Sequence, residues 1–143
     1  MRENDRRLMF HGLLLFLLGL FTGFAEPHFI NVRMGLAAHL EGVMNGTFLL
    51  ALGAAWSHVY LPHTQKVVAY WAALYGAYVN WAGTILAAAL GTATLSPITA
   101  AGHSAQRWQE ALVTAVLVSS GTGIIAGAAL SLWGLRASAA PSS

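Results

Sequence analysis

Four long apolar stretches, separated by short polar segments, make up most of this chain. Each stretch has about the 20 residues that a helix needs to cross roughly 30 Å of hydrocarbon. The stretches run from about residues 8–24, 36–60, 67–91 and 108–135. The pattern therefore predicts an all-α protein, an integral membrane four-helix bundle that forms a single membrane domain over residues 1–143. The small, polar residues 137–143 are expected to form a flexible tail.

Composition excludes several classes of protein. Apolar residues make up 57% of the 143 residues and charged residues only 8%, whereas a soluble domain carries about 25% charged residues. So few charges cannot cover a water-facing surface, which excludes an ordinary soluble protein. The absence of cysteine excludes disulfides, thiolate metal sites and iron–sulfur clusters. A net charge of +2 without a basic stripe argues against a nucleic-acid partner.

The distribution of basic residues predicts the orientation in the membrane. With four spans, both termini and the middle linker lie on the same side. That side carries five basic residues: Arg2, Arg6, Arg7, Lys66 and Arg136. The opposite side carries two, Arg33 and Arg107. By the positive-inside rule, both termini are predicted to be cytoplasmic.

The second stretch contains a stripe of small residues that includes a histidine. The stripe consists of Gly35, His39, Gly42, Gly46 and Gly53, spaced by four, three, four and seven residues. On a helix these positions share one side. One interpretation is a helix–helix seam with one polar contact. The other is a planar cofactor that lies on the glycines, with the imidazole of His39 as its metal ligand, and haem fits that description.

Further polar residues lie within the stretches and are functional candidates, since a polar side chain is costly in a membrane. Asn45 is about 120° around the helix from His39, so the two cannot face the same side of a ligand bound to one helix. They could contact two ligands in a ring-shaped oligomer. Asn45 could instead form an interhelical hydrogen bond, for example with Asn80. Glu41 suits the helix N-terminus electrostatically, which favours a structural role, and proton handling is the alternative.

Soluble-enzyme motifs are absent from the sequence. It contains no GxSxG, no HExxH and no P-loop. A bound cofactor would therefore have to supply difficult chemistry.

Two motifs carry a resemblance to a known family. The second stretch reads HLEGVMNG and the third reads LYGAYVNW. On these motifs the chain resembles the hydroxylaminobenzene mutases, bacterial membrane enzymes of nitroaromatic degradation, and more weakly the related styrene oxide isomerase. The similarity extends from about His11 to the fourth stretch. It implies a multi-pass protein of the bacterial inner membrane and a homotrimer with haem b between subunits.

The resemblance also implies roles for individual residues. His39 would be the axial ligand of the ferric iron, and Asn45 would line the open face of a haem. Asn80 matches an asparagine in the third span of the family. The isomerase has a functional tyrosine four residues later, where this chain has Thr84, and this departure favours the mutase branch. The catalytic candidates are therefore Asn45, Asn80 and Thr84, together with Glu41.

The implied reaction converts arylhydroxylamines, such as hydroxylaminobenzene, to ortho-aminophenols by intramolecular hydroxyl transfer, with haem iron as a Lewis acid. An aryl epoxide isomerase on the same haem site is the alternative enzyme. A non-enzymatic membrane b-type cytochrome is a further alternative, although it usually needs a second axial histidine. A transporter or structural bundle without a cofactor also remains open.

Cofactor binding would involve more than His39. Gly42 and Gly46 would lie against the haem ring. His39 lies about one turn inside the second stretch, so the haem propionates would be near the non-cytoplasmic surface and would need cations there. Arg33 and Arg107 are the basic residues predicted on that side. The alternative is that both arginines only anchor helices at the interface.

Overall fold

The computed structural model describes residues 3–136, and this part of the chain is helical without β-strands. The predicted flexible tail and Arg2 lie outside the described residues. The helices are α1 (Glu3–Ala25), α2 (Val32–Ala55), α3 (His63–Leu90), α4 (Pro97–Ala100) and α5 (Arg107–Arg136). Short 3₁₀ turns follow α1 at Glu26–His28 and α2 at Trp56–His58. The expectation of an all-α protein is confirmed.

The second predicted stretch and helix α2 differ at both ends. The helix begins at Val32, four residues before the stretch, because Asn31 caps it by accepting a hydrogen bond from the Met34 N–H at 3.1 Å. The helix ends at Ala55, five residues before the predicted stretch ends, because the apolar run continues through the 3₁₀ turn. Pro62, which precedes α3, keeps the chain extended there.

The four long helices pack as two antiparallel pairs. Helix α1 packs along α2, α3 packs along α5, and contacts between α2 and α3 join the pairs. Within residues 3–136, α1 and α5 share no comparable interface. The helices therefore form an open row rather than a closed ring. Both outer helices expose large apolar side chains, including Phe10, Phe21, Ile125 and Leu132.

Three helical segments of the described part of the chain, residues 3–136, are long and apolar enough to cross a membrane. They are Glu3–His28, His63–Leu90 and Arg107–Arg136, with mean hydropathies of 2.0, 1.2 and 1.8. Helix α2 is not among them, since His39, Glu41 and Asn45 lower its hydropathy. Several apolar helices and exposed apolar side chains are consistent with a membrane protein.

A clamp of hydrogen bonds closes the end of the molecule at which α2 begins. The buried side chain of Asn31 donates to the carbonyl oxygens of Thr99 at 3.0 Å and Ala100 at 3.2 Å. The carboxylate of Glu110 accepts from the backbone N–H groups of Ala93 and Ala105, at 2.9 and 3.2 Å. These bonds fasten the α3–α5 connection over the start of α2, and so fix the level of α2 relative to α3.

Candidate functional site

The imidazole of His39 lies in a notch on α1. Its Nδ1 is 2.8 Å from the carbonyl oxygen of Gly19. A Cβ atom on Gly23 would lie only 2.9 Å from the same nitrogen, so glycine makes room for the ring. Because a carbonyl oxygen can only accept, Nδ1 carries the hydrogen, and in the neutral ring Nε2 then keeps its lone pair. A metal-ligating histidine is commonly oriented in this way, through a hydrogen bond from its other ring nitrogen.

The surface beside His39 is apolar and exposed. Leu36, Leu40 and Met44, on the neighbouring side of α2, are 43%, 47% and 65% exposed. The imidazole itself is partly exposed. Within residues 3–136, no three His, Cys, Asp or Glu side chains come together as a metal site. His39 therefore suits a metal whose other ligands come from a cofactor, and the apolar surface suits a planar ring.

The glycine stripe, in contrast, is a helix–helix seam. A Cβ atom on Gly42 would lie 2.5 Å from the Gly19 Cα, and one on Gly46 would lie 2.5 Å from the Phe16 backbone nitrogen. Both glycines are buried beneath α1. The prediction that Gly42 and Gly46 contact a haem ring is therefore wrong, because the backbone of α1 occupies the space that the ring would need.

A hydrogen-bonded polar group lies on another side of α2 and connects three helices. The Oε2 atom of Glu41 accepts from Asn45 Nδ2 at 3.2 Å and from Asn80 Nδ2 at 2.5 Å. Ser120 Oγ lies 3.4 Å from Asn80 Oδ1. Asn45 and Asn80 are thus brought together as the sequence suggested, although the Glu41 carboxyl joins them rather than a direct contact. We call these four residues the amide network.

His39 and the amide network lie on different sides of α2. His39 packs against α1, whereas Glu41 and Asn45 contact α3. This arrangement agrees with the angle of about 120° between His39 and Asn45 that helix geometry predicts. One subunit therefore does not place the imidazole and the amides around the same ligand.

Thr84 and the neighbouring Trp81 have structural partners. The Thr84 hydroxyl is buried and donates to the Asn80 carbonyl oxygen of its own helix at 2.8 Å. The Trp81 indole donates from Nε1 to Thr22 Oγ1 at 3.1 Å and packs against Gly42. Trp81 therefore bridges α1 and α3 across the α2 backbone.

The two arginines predicted near the cofactor lie at the same end of the molecule. Arg33 is in the first turn of α2 and Arg107 begins α5, and both side chains are exposed. Within residues 3–136, neither Arg33 nor Arg107 forms a salt bridge with a carboxylate. Both guanidinium groups are therefore accessible to an anionic group near this end of α2.

Sequence reasoning missed several residues of the site. Gly19 and Gly23 form a small-xxx-small pair in α1, a detectable signal for close helix packing. The N-cap at Asn31 was also detectable, since asparagine is common immediately before a helix. Ser120 gave no signal, because a serine within an apolar helix commonly hydrogen-bonds its own backbone.

Comparison with known proteins gives a consistent result. The styrene oxide isomerase family profile matches residues 4–136. Hydroxylaminobenzene mutase HabB of Ectopseudomonas oleovorans is 46% identical over 136 residues, covering 94% of this chain and 83% of that protein. Hydroxylaminobenzene mutase HabA of the same organism is 44% identical over 109 residues, covering 76% of this chain and 81% of that protein. No solved structure matches the chain significantly.

Proposed function

The chain belongs to the styrene oxide isomerase family, and we propose that it is a membrane isomerase of the hydroxylaminobenzene mutase type. It converts an arylhydroxylamine to an ortho-aminophenol by moving the hydroxyl group within the substrate. Two relatives named hydroxylaminobenzene mutase, at 46% and 44% identity, support this activity. A role in the degradation of nitroaromatic compounds, after reduction of a nitro group to a hydroxylamine, is part of the proposal.

We propose that all four long helices cross the inner membrane of a bacterium, with both termini in the cytoplasm. Helix α2 packs between α1 and α3 and runs antiparallel to both. His39, Glu41 and Asn45 form hydrogen bonds with neighbouring helices, which lowers the cost of crossing the membrane despite the lower hydropathy of α2. The excess of basic residues on the side of the termini supports this orientation.

The cofactor in this proposal is haem b, with His39 as an axial ligand. The observation that carries it is the hydrogen bond between His39 Nδ1 and the Gly19 carbonyl oxygen, which leaves Nε2 available for iron. Arg33 and Arg107 would pair with the propionates, and their shared position at the end where α2 begins supports this role. When bound, ferric haem supplies a Lewis-acid centre for the N–OH group.

A homotrimer with haem between subunits fits the separation of His39 from the amide network. Because these groups lie on different sides of α2, a site that contains both needs the imidazole of one subunit and the amides of another. A closed ring of identical subunits satisfies this requirement at every interface. The exposed apolar surface at Leu36, Leu40 and Met44 lies beside His39, where such a contact would form.

The protein's own residues then bind the substrate and exclude water. In water, acid cleaves the N–O bond and solvent attacks the ring mainly at the para position. A pocket among apolar helices admits the arene and keeps solvent away. The Asn45 amide does not titrate, so it can orient the NH–OH group without exchanging protons with it.

Two measurements on purified protein test the proposal. The absorption spectrum should contain a Soret band, and incubation with phenylhydroxylamine should yield ortho-aminophenol. His39→Ala should lose haem and activity while the helical circular dichroism remains. His58→Ala is the matched control, because His58 is exposed at the opposite end of α2. Full haem content in the His39 variant would refute the ligand assignment.

The second candidate is an aryl epoxide isomerase, favoured by the family match itself. Styrene oxide should then give phenylacetaldehyde at a rate comparable with conversion of phenylhydroxylamine. We expect the mutase reaction to dominate, because Thr84 stands at the position that the resemblance assigns to a functional tyrosine of the isomerase. The Thr84 side chain is buried, and its hydroxyl hydrogen is directed to its own helix backbone rather than to a substrate.

A further inference from the structure

The Glu41 carboxyl is arranged as an acceptor for two amides. Both Asn45 Nδ2 and Asn80 Nδ2 donate to the same oxygen, Oε2. Two N–H donors engage the lone pairs of Oε2, so this oxygen is committed to holding the two amides. Within residues 3–136, no salt bridge is formed by Glu41. The geometry is therefore that of a fixed anchor for the two asparagines.

The amide of Asn80 is held at both ends. Its Nδ2 donates to Glu41, and its Oδ1 faces the hydroxyl of Ser120 on α5. Ser120 is fully buried, so water does not compete for this contact. The Asn80 side chain is consequently occupied by the protein and fixes the position of the Glu41 carboxyl.

Asn45 differs from Asn80 because one end of its amide is open. Its Nδ2 faces Glu41 Oε2 and, at 3.4 Å, the Ala77 carbonyl oxygen. Within residues 3–136, its Oδ1 has no hydrogen-bond partner, and this oxygen is not fully buried. Oδ1 is the amide oxygen that remains available to accept a hydrogen bond.

We propose that Glu41 is a positioning residue: with Ser120, it fixes the two amides so that Asn45 Oδ1 accepts the N–H or O–H of the arylhydroxylamine. This inference rests on the proposed mutase function. Asn45 is then the residue that touches the substrate, whereas Glu41, Asn80 and Ser120 act through it. The orientation of Asn45 matters because the hydroxyl must be delivered to the neighbouring ring carbon rather than to solvent.

Substitution of Glu41 distinguishes positioning from proton transfer. Glu41→Gln keeps an oxygen that can accept from both amides, and should lower kcat/KM by less than about threefold. Glu41→Leu removes the acceptor, and should lower kcat/KM about 100-fold, the typical result of a misplaced substrate group. Haem spectrum and oligomeric state should match the wild type in both variants. Equal inactivity of Gln and Leu, with haem and oligomer intact, would overturn the proposal in favour of proton transfer.

Two serines of α5 provide a matched pair that does not depend on the Leu variant folding. Ser120 and Ser131 are both buried, and each donates to a carbonyl oxygen of its own helix at 2.8 and 2.7 Å. Ser120 additionally faces Asn80. The single hydroxyl hydrogen of Ser120 is shared between the Leu117 carbonyl oxygen at 2.8 Å and Asn80 Oδ1 at 3.4 Å. Ser120→Ala should therefore reduce kcat/KM by about two- to threefold, part of the value of one hydrogen bond, and Ser131→Ala should not. Equal effects of the two substitutions would refute the network. If the wild type does not convert phenylhydroxylamine at all, the proposed function fails instead.

Discussion

The two packed sides of α2 are held by different forces. Towards α1, glycines let the two backbones touch, and shape is the main source of stability. Towards α3, the carboxyl and amide groups of Glu41, Asn45 and Asn80 form hydrogen bonds that replace those lost to water. The first side should tolerate no added volume, whereas the second should tolerate substitutions that keep the polar atoms. The proposed metal ligand His39 and the proposed substrate-binding residue Asn45 can thus be carried by one helix under separate constraints.

The largest expected effect is at the glycine side. Gly46→Leu places a bulky side chain where even a Cβ atom would lie 2.5 Å from the Phe16 backbone nitrogen. Helix α1 must move away, so the free energy of unfolding should fall by about 3 kcal/mol or more. Thermal unfolding in detergent, followed by circular dichroism, measures this change. Gly121→Ala is the control, because a Cβ there meets no atom within 4 Å. Equal stability of the two variants would contradict the seam.

A smaller change at the same side should affect His39 without unfolding the protein. Gly23→Ala would place a Cβ atom 2.9 Å from His39 Nδ1, which should turn the imidazole and weaken its bond to Gly19. Substitutions that disturb the orientation of a metal ligand typically lower metal affinity about 10- to 100-fold. Haem titration of the apoprotein measures this loss. An unchanged affinity, with the helices intact, would argue against His39 as the ligand.

The clamp of hydrogen bonds at the start of α2 fixes the position of α2 along its axis relative to the neighbouring helices. Its contribution to the free energy of unfolding should be smaller than that of the glycine side. Asn31→Ala removes the N-cap and two donated hydrogen bonds, and should lower the free energy of unfolding by about 2 kcal/mol. Asn31→Ser retains the cap but not the donors, so it should recover about half of the loss. Denaturant titration of both variants tests this order. A serine variant no more stable than the alanine variant would show that the cap contributes little.

The sequence predicted features that are periodic along the chain, and missed those that depend on tertiary structure. The apolar stretches and the glycine stripe repeat at helical spacing, so both were recognisable, and the seam was one of two interpretations of the stripe. The choice between them required knowing which helix covers Gly42 and Gly46. Likewise, the angle between His39 and Asn45 followed from helix geometry alone, whereas the contact of Asn80 with Ser120 depends on how α3 meets α5. The pairing of residues between helices is therefore the part of the fold and of the site that could not be predicted from a single sequence.

The smallest expected effect concerns Thr84, which lies one helical turn after Asn80 on α3 and contacts the backbone of Asn80 rather than its amide. Its hydroxyl donates to the Asn80 carbonyl oxygen at 2.8 Å and is buried. Thr84→Val keeps the shape of the side chain and removes a hydrogen bond that the helix can lose at little cost, because that carbonyl belongs to the helix's own bonding pattern. If Thr84 acted directly on the substrate, kcat would fall by a factor of about 100 or more.

We expect the Thr84→Val change in kcat to be less than about twofold, with KM unaltered. Asn80→Leu is the contrasting variant, because it removes a side chain to which Glu41 is bound. The comparison of steady-state rates for the two variants decides whether the network ends at Asn80 or continues one helical turn further. A large loss in the valine variant, with normal haem content, would extend the catalytic group to Thr84.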